Sequence, residues 1–240
     1  MSIQNSPKLP SPLKRLFSSA PVRVNDLGGW TDTWFSGTGR VLNVAVSPGI
    51  EVEIHVFDNV ERRPDRVRVH AENNKASFRI DPDHPTFETE PLIEGALNML
   101  PIPEEFLLEI MIRSGVPAGC STGTSGSLCV ALLGALDPLQ SQRLRPHEIA
   151  RLAHKVETEK LGLQSGIQDQ LCAVYGGICF ITMNAYPEAE VERVGVAPDL
   201  LRDLNASLAL IYLGSAHSST ALHEEVIEKL EAEGCESSIL

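Results

Sequence analysis

Three groups of residues in this 240-residue chain have types and spacings suited to chemistry. The first is Pro117-Ala118-Gly119-Cys120-Ser121-Thr122-Gly123-Thr124-Ser125-Gly126-Ser127, with apolar runs on either side at 106–112 and 128–136. A strand, a small-residue loop and a helix start build an anion site. The backbone can approach a ligand closely there, and the free N–H groups and dipole of the helix start favour negative charge. The hydroxyls of Thr124 and Ser125 add donors or a Mg²⁺ ligand. The same residues also suit a plain loop whose Ser or Thr caps the helix. The second group is Asn25-Asp26-Leu27-Gly28-Gly29-Trp30-Thr31-Asp32-Thr33. A Gly-Gly pair beside Trp and Asp suits a loop lying close to a ligand. It equally suits a tight turn with Trp30 in the core and Asp32 capping the next segment. The third is the loop-to-helix passage Gly162 to Leu171, with Asp169 near the helix start, where an aspartate is commonly a cap. Upstream of it, Glu157 and Glu159 both flank the apolar stripe Ile149, Leu152, Ala153 and Val156, so helical periodicity does not choose between them.

The elements that must position these groups follow from hydrophobic period. Strands are expected over 13–24, 41–46 and 50–57, the last with clear alternation. A turn over 58–65 returns as the strand 66–70, giving a hairpin with 50–57 whose cations Arg62, Arg63, Arg66 and Arg68 form a solvated face. Ser77 to Ile80 is a further strand, and Pro91 to Leu100 a short helix. After the strand 106–113 and the helix 125–136, Pro146 opens a helix that runs to Leu161, ended by Gly162. A helix to Tyr175 is broken by Gly176-Gly177. Strands are expected over 178–183, 191–194 and 207–213, and a helix over 218–233. The mixture lacks a regular βαβ rhythm, so the fold class is α+β.

The composition is ordinarily globular and acidic, with 42% hydrophobic residues and a net charge of −12. An acidic body argues against a broad nucleic-acid or anionic-membrane footprint, while a local loop can still bind phosphate. The five cysteines include no C-x-x-C pair, which implies a reducing, cytoplasmic compartment and no zinc site. The apolar runs fall short of the ~18–20 residues a membrane helix needs. Residues 1–12 read as a loose arm without a signal-peptide core.

In order along the chain, these groups resemble the motifs of the GHMP small-molecule kinases, named for galactokinase, homoserine kinase, mevalonate kinase and phosphomevalonate kinase. Ala20 to Asn25 with Gly28-Gly29-Trp30-Thr31-Asp32 resembles the first motif. The stretch 117–127 resembles the phosphate-binding second motif. Glu157 with Gly166 and Asp169 resembles the metal ligand and catalytic aspartate. The loop 28–32 and Ser165-Gly166-Ile167-Gln168-Asp169-Gln170 are most similar to the sugar-kinase branch of fucokinases and heptose-phosphate kinases. The resemblance implies a ribosomal protein S5 domain 2-like N-terminal domain over 13–183. Residues 184–240 would then begin a C-terminal α/β domain.

The implied activity is transfer of the ATP γ-phosphoryl to a hydroxyl of a monosaccharide or sugar phosphate, with ATP and Mg²⁺ as cofactors. The resemblance gives the cradle as Pro117 and Gly119, Cys120, Ser121, Thr122, Gly123, Thr124 and Ser125. Ser125 and Glu157 match the metal ligands, Asp169 the catalytic carboxylate, and Arg23 an arginine beside it. Gly28, Gly29, Trp30, Thr31, Asp32 and Gly166 match the substrate side. Gly29 and Trp30 replace the Glu and His of galactokinases, which argues against galactose. Ser121 stands where the family usually has glycine and Thr124 where it often has serine. Trp34-Phe35 replaces the Pro-Pro of fucokinases, and His217-Ser218-Ser219 lies near a position often held by arginine in heptose kinases. The family's third, glycine-rich motif is not found. The expectation is therefore a shortened C-terminal domain whose incomplete face favours association of copies. A non-catalytic homologue that binds sugar or nucleotide without turnover is the alternative, and a mevalonate- or homoserine-type alcohol substrate is disfavoured by the loop 28–32.

Overall fold

The computed structural model describes residues 11–72, 76–117, 119–209, 211–212, 214 and 227–229. Of the helix expected over 218–233, only 227–229 are described, and they are helical. His217-Ser218-Ser219 and residues 1–10 of the arm lie outside the described residues.

A seven-stranded mixed sheet is the frame, ordered β4-β3-β5-β2-β6-β7 with β1 paired along β2. Its strands are β1 (Lys14–Leu27), β2 (Gly39–Asp58), β3 (Val67–Ala71), β4 (Ala76–Ile80), β5 (Phe106–Ser114), β6 (Ile178–Ala185) and β7 (Glu188–Arg193). Val52, Ile54 and Val56 point from β2 into the core, while Glu51, Glu53 and His55 point outward. The outer face is polar and cross-linked, as in the His70–Glu109 pair at 3.0 Å between β3 and β5. Period-two alternation is what a sheet covered on one face requires.

Helices α1 (Pro91–Met99), α2 (Thr124–Leu136), α3 (Pro146–Lys155) and α4 (Gln168–Tyr175) cover the inner face. Beyond its first turn α2 is mostly buried, including Cys129, Ala131, Leu132, Leu133 and Leu136. That explains a sequence apolar on all sides rather than on one stripe. A smaller core of Val41, Ala150, Ile167, Leu171, Ile181 and Met183 seats α4 against β2 and β6.

Five expectations need correction. The runs 41–46 and 50–57 are one strand, β2, whose first half pairs with β6 and whose second half pairs with β5. The hairpin between 50–57 and 66–70 does not form. β5 lies between them, antiparallel to β2 and parallel to β3. Turn signals report a reversal of the chain but not which strand fills the gap. Arg66 is accordingly not solvated. It is buried, pairs with Asp83 at 2.6 Å, and donates to the Ile102 carbonyl at 2.8 Å. The strand expected at 207–213 is absent among its described residues. A helix α5 (Pro198–Ser207) ends there instead, with Pro198 in its first turn. The division drawn at 183/184 also cuts through β6, and β7 extends the same sheet to Arg193.

Candidate active site

Arg23 on β1 is the joint between the first and third residue groups. Its main-chain N–H donates to the Thr122 carbonyl at 2.9 Å, and its Nη1 to the Ser121 carbonyl at 2.7 Å. Its Nε donates to Asp169 Oδ1 at 2.7 Å. Burial works against the Arg23 cation, but the Asp169 carboxylate outweighs it and holds the guanidinium pKa above its ordinary value.

The loop before α2 takes left-handed backbone at alternate residues: Gly119 (φ 71°), Ser121 (φ 58°) and Gly123 (φ 70°). Glycine adopts this conformation at little cost, whereas a serine there is strained by about 1 kcal/mol. Ser121 is thus a serine in a glycine's conformation. A Cβ on Gly123 would lie 2.9 Å from Asp169 Cγ, and one on Gly126 would lie 3.1 Å from Asp169 Cβ. Both glycines make room for the start of α4. The Ser127 hydroxyl donates to the Pro21 carbonyl at 2.7 Å, fastening the first turn of α2 to β1. The hydroxyls of Thr122 and Thr124 sit 3.2 Å apart beside the Cys120 thiol.

Asp32 is fully buried, and both its oxygens are taken by one residue. Gln168 N–H donates to Oδ2 at 2.8 Å, and Gln168 Nε2 to Oδ1 at 2.8 Å. Asp32 therefore caps a helix 136 residues away rather than the segment that follows it. Burial, reinforced by the nearby Asp169 charge against the Gln168 hydrogen bonds, pushes its carboxyl from 3.8 up to about 6. Gly166 is glycine for the same reason, since a Cβ there would fall 2.0 Å from Asp32 Oδ2. Asp32 and Gly166, both matched to the substrate side by the resemblance, are packed against each other and against the start of α4. Gly28 (φ 101°) is fixed by the backbone, its Cβ position lying 2.1 Å from the Arg40 carbonyl oxygen. The Gly29 carbonyl accepts from Asn25 Nδ2 and Gln168 Nε2. Thr31 donates to the Arg40 carbonyl. Trp30 is half-buried, and Trp34 is exposed, edge-on to Phe35 and Tyr186.

Structure separates the two glutamates that periodicity left equal. The helix α3 widens into a π-helical turn, Val156–Lys160, and this turn carries Glu157 inward. Glu159 stays in solvent beside Lys155. Glu157 Oε2 accepts from the Ser165 hydroxyl at 2.7 Å and from Gln170 Nε2 at 2.5 Å. Burial raises its pKa, opposed by hydrogen bonds from Ser165, Ser125 and Gln170. Ser125 of α2 and Glu157 are thus brought together. Behind them, Tyr186 in the β6–β7 turn donates to the Ser165 carbonyl at 3.0 Å and meets His154 Nε2 at 2.8 Å. Burial pushes the Tyr186 hydroxyl up to about 12, with the Asp32 and Glu157 charges adding to it. Ser165, Gln168 and Gln170 went without a role in the sequence reading although they flank Asp169 and Gly166. Tyr186 and His154 carried no local signal at all, because only the β6–β7 turn brings them to the loop at 165.

The predicted residues therefore fall into two sets. Arg23, Gly119 to Ser125, Glu157 and Asp169 converge around the start of α2. Gly28 to Asp32 and Gly166 form an adjoining seam whose polar groups are engaged with β2 and α4. Among the described residues there is no cluster of three or more His, Cys, Asp or Glu side chains in a metal-binding arrangement. The pair Ser125 and Glu157 offers a hydroxyl and a carboxylate, hard oxygen donors of the kind Mg²⁺ takes when water and phosphate fill the rest of its shell. The residues fit that ion.

Residues 92–177 match the family model of the GHMP kinases N terminal domain. The D-glycero-alpha-D-manno-heptose 7-phosphate kinase of Campylobacter jejuni is 29% identical over 233 residues, covering 91% of this chain and 65% of that protein. The bifunctional fucokinase/GDP-fucose pyrophosphorylase of Arabidopsis thaliana is 26% identical over 233 residues, 88% of this chain and 21% of that protein. The crystal structure of a D-glycero-D-manno-heptose 1-phosphate kinase from Bacteriodes thetaiotaomicron superposes with a TM-score of 0.68 at 25% identity, covering 80% of this chain and 64% of that one. The chain spans just under two thirds of the first relative and about a fifth of the second. The chain is similar to the GHMP kinases in sequence and in fold.

Proposed function

We propose that this chain transfers the γ-phosphoryl of ATP to a hydroxyl of a monosaccharide or sugar phosphate. The single observation that carries the reading is the Arg23–Asp169 pair, held at 2.7 Å against Gly123 at the start of α2. The helix start and the loop Pro117 and Gly119 to Ser125 would cradle the phosphates, since free N–H groups there meet negative charge. Ser125 and Glu157 would hold Mg²⁺, which supplies charge neutralisation to the phosphates when bound. Asp169 accepts or orients the proton of the attacking hydroxyl. Arg23 orients that carboxylate and adds positive charge where the phosphoryl passes. The sugar lies along Gly29, Trp30 and Thr31, with Asp32 bracing this loop against α4. The heptose-phosphate kinases and the fucokinase among its relatives support the sugar class. The four described cysteines, Cys120, Cys129, Cys172 and Cys179, are free thiols, which agrees with a reducing, cytoplasmic setting.

A coupled ADP-release screen over hexoses, 6-deoxyhexoses and heptose phosphates tests the reading, and one sugar should stand out. A second reading, binding without turnover, is favoured by the left-handed Ser121, whose Cβ lies on the phosphate loop. Calorimetric binding of sugar or nucleotide with no ADP release in the same screen would establish that reading instead.

A further inference from the structure

The residue after Asp169 holds a polar atom that the fold leaves without a partner. Gln170 is completely buried in the first turn of α4. Its Nε2 donates to Glu157 Oε2 at 2.5 Å, and this fixes the amide orientation, because the reverse would set two acceptors against each other. Its Oε1 is buried and receives no hydrogen bond among the described residues. A buried carbonyl oxygen without a donor costs about 1–3 kcal/mol, so such an atom calls for an explanation. The side chain lies against Gly126, whose Cβ position is 3.3 Å from Gln170 Cδ. The amide is therefore wedged between Glu157 and the turn of α2 that carries Ser125.

We propose that Gln170 is a positioning residue of the metal site, holding Glu157 with its NH₂ and accepting with Oε1 a hydrogen bond from a water on the bound divalent cation. The inference rests on the reading of Ser125 and Glu157 as the metal's ligands. Mg²⁺ keeps several waters, each carrying protons that need acceptors, and an uncharged amide oxygen accepts one without adding to the local charge. Groups of this outer kind typically contribute ten- to a hundredfold to metal affinity. Ser165 offers the contrast, because it too donates to Glu157 Oε2, at 2.7 Å, while its side chain leaves no buried acceptor unpaired.

The test is Mn²⁺ binding followed by electron paramagnetic resonance on the full chain with ADP present, for the parent, Gln170→Met and Ser165→Ala. Methionine fills a similar volume without polar atoms. Gln170→Met should weaken Mn²⁺ about tenfold or more, and Ser165→Ala should weaken it distinctly less. In the metal-free chain, Gln170→Met removes an unpaired buried acceptor along with the donor to Glu157, so the two effects offset and its thermal midpoint should stay close to the parent's. Equal losses in the two variants would reduce Gln170 to a simple partner of Glu157 and overturn the proposal. Unchanged Mn²⁺ affinity, or a collapse of the midpoint, would overturn it as well. If the parent itself binds no Mn²⁺ with ADP, the reading of the whole metal site fails and this inference fails with it. If the parent binds and only the Gln170 contrast is missing, the site reading stands alone.

Discussion

The loop at 28–37 and the loop at 117–123 are both rich in glycine, and each meets the start of α4 at an aspartate, the first through its own Asp32 and the second against Asp169, yet their glycines answer different demands. Gly28 is glycine because the Arg40 carbonyl occupies the place of its Cβ, and Gly166 because Asp32 does. The polar groups of that loop turn inward: Asp32 to Gln168, Thr31 to the Arg40 carbonyl, and Thr33 to the Trp30 carbonyl. The other loop spends its backbone freedom on left-handed turns at 119, 121 and 123 and packs onto Asp169. Asp169 meets a cation and retains partial exposure, with 23% of its side-chain surface open, whereas Asp32 retains 1%. One aspartate is built into the scaffold, and the other stays partly accessible beside Arg23. A glycine-rich motif alone does not distinguish these cases.

The largest expected consequence of this difference is catalytic. Asp169→Asn keeps the shape and should lower ADP release by about 10²–10⁴-fold, the span of a lost acid–base group. An unchanged turnover would remove Asp169 from the reaction. Asp32 should announce itself in stability instead. Its folded pKa of about 6 lies above the ordinary 3.8. The fold therefore favours the protonated form. The resulting stabilisation is complete below about pH 4 and is lost as pH rises through about 6, an effect on the order of 3 kcal/mol. Urea unfolding at pH 4 to 7 should show this decline in the parent chain and a flatter profile in Asp32→Asn. Identical profiles would mean that Asp32 is not the buried group described above. A smaller effect belongs to Ser121→Gly, which relieves a left-handed serine and should stabilise by at most about 1 kcal/mol. Lower stability in that variant would show that the Ser121 side chain makes a contact worth more than its strain. The smallest is Glu159→Gln, a solvent-exposed member of a surface pair, which should change Mn²⁺ affinity and stability by no more than about 0.5 kcal/mol. A large loss of metal affinity there would reverse the assignment of Glu157.

Much of the fold was legible because hydrophobic period is a local property. The alternation in 50–57, the apolar run 128–136 and the punctuation by Pro91, Pro146 and Gly176 each place an element without reference to the rest. Strand order was not legible. A turn over 58–65 reads as a hairpin whether or not another strand enters between its arms, and here β5 does. Arg66 was misread with it, since a cation in an edge hairpin is solvated while the same cation beside Asp83 and the Ile102 carbonyl is buried.

The chain's own order of residues determined the resemblance to the GHMP kinases, the loop proposed as a cradle before α2 and the candidacy of Arg23, Glu157 and Asp169, because those are matters of residue type and spacing along one segment at a time. The fold had to decide which candidates face one another. The π-helical turn turned Glu157 inward and left Glu159 outside. The antiparallel pairing of β1 with β2 set Arg23 against the Ser121 and Thr122 carbonyls. The meeting of loop 28–37 with α4 enclosed Asp32 and Gly166 together. Hydrogen bonds between residues more than a hundred positions apart, such as Arg23 to Asp169 and Gln168 to Asp32, leave no local trace. They depend on packing that forms only when every element is in place.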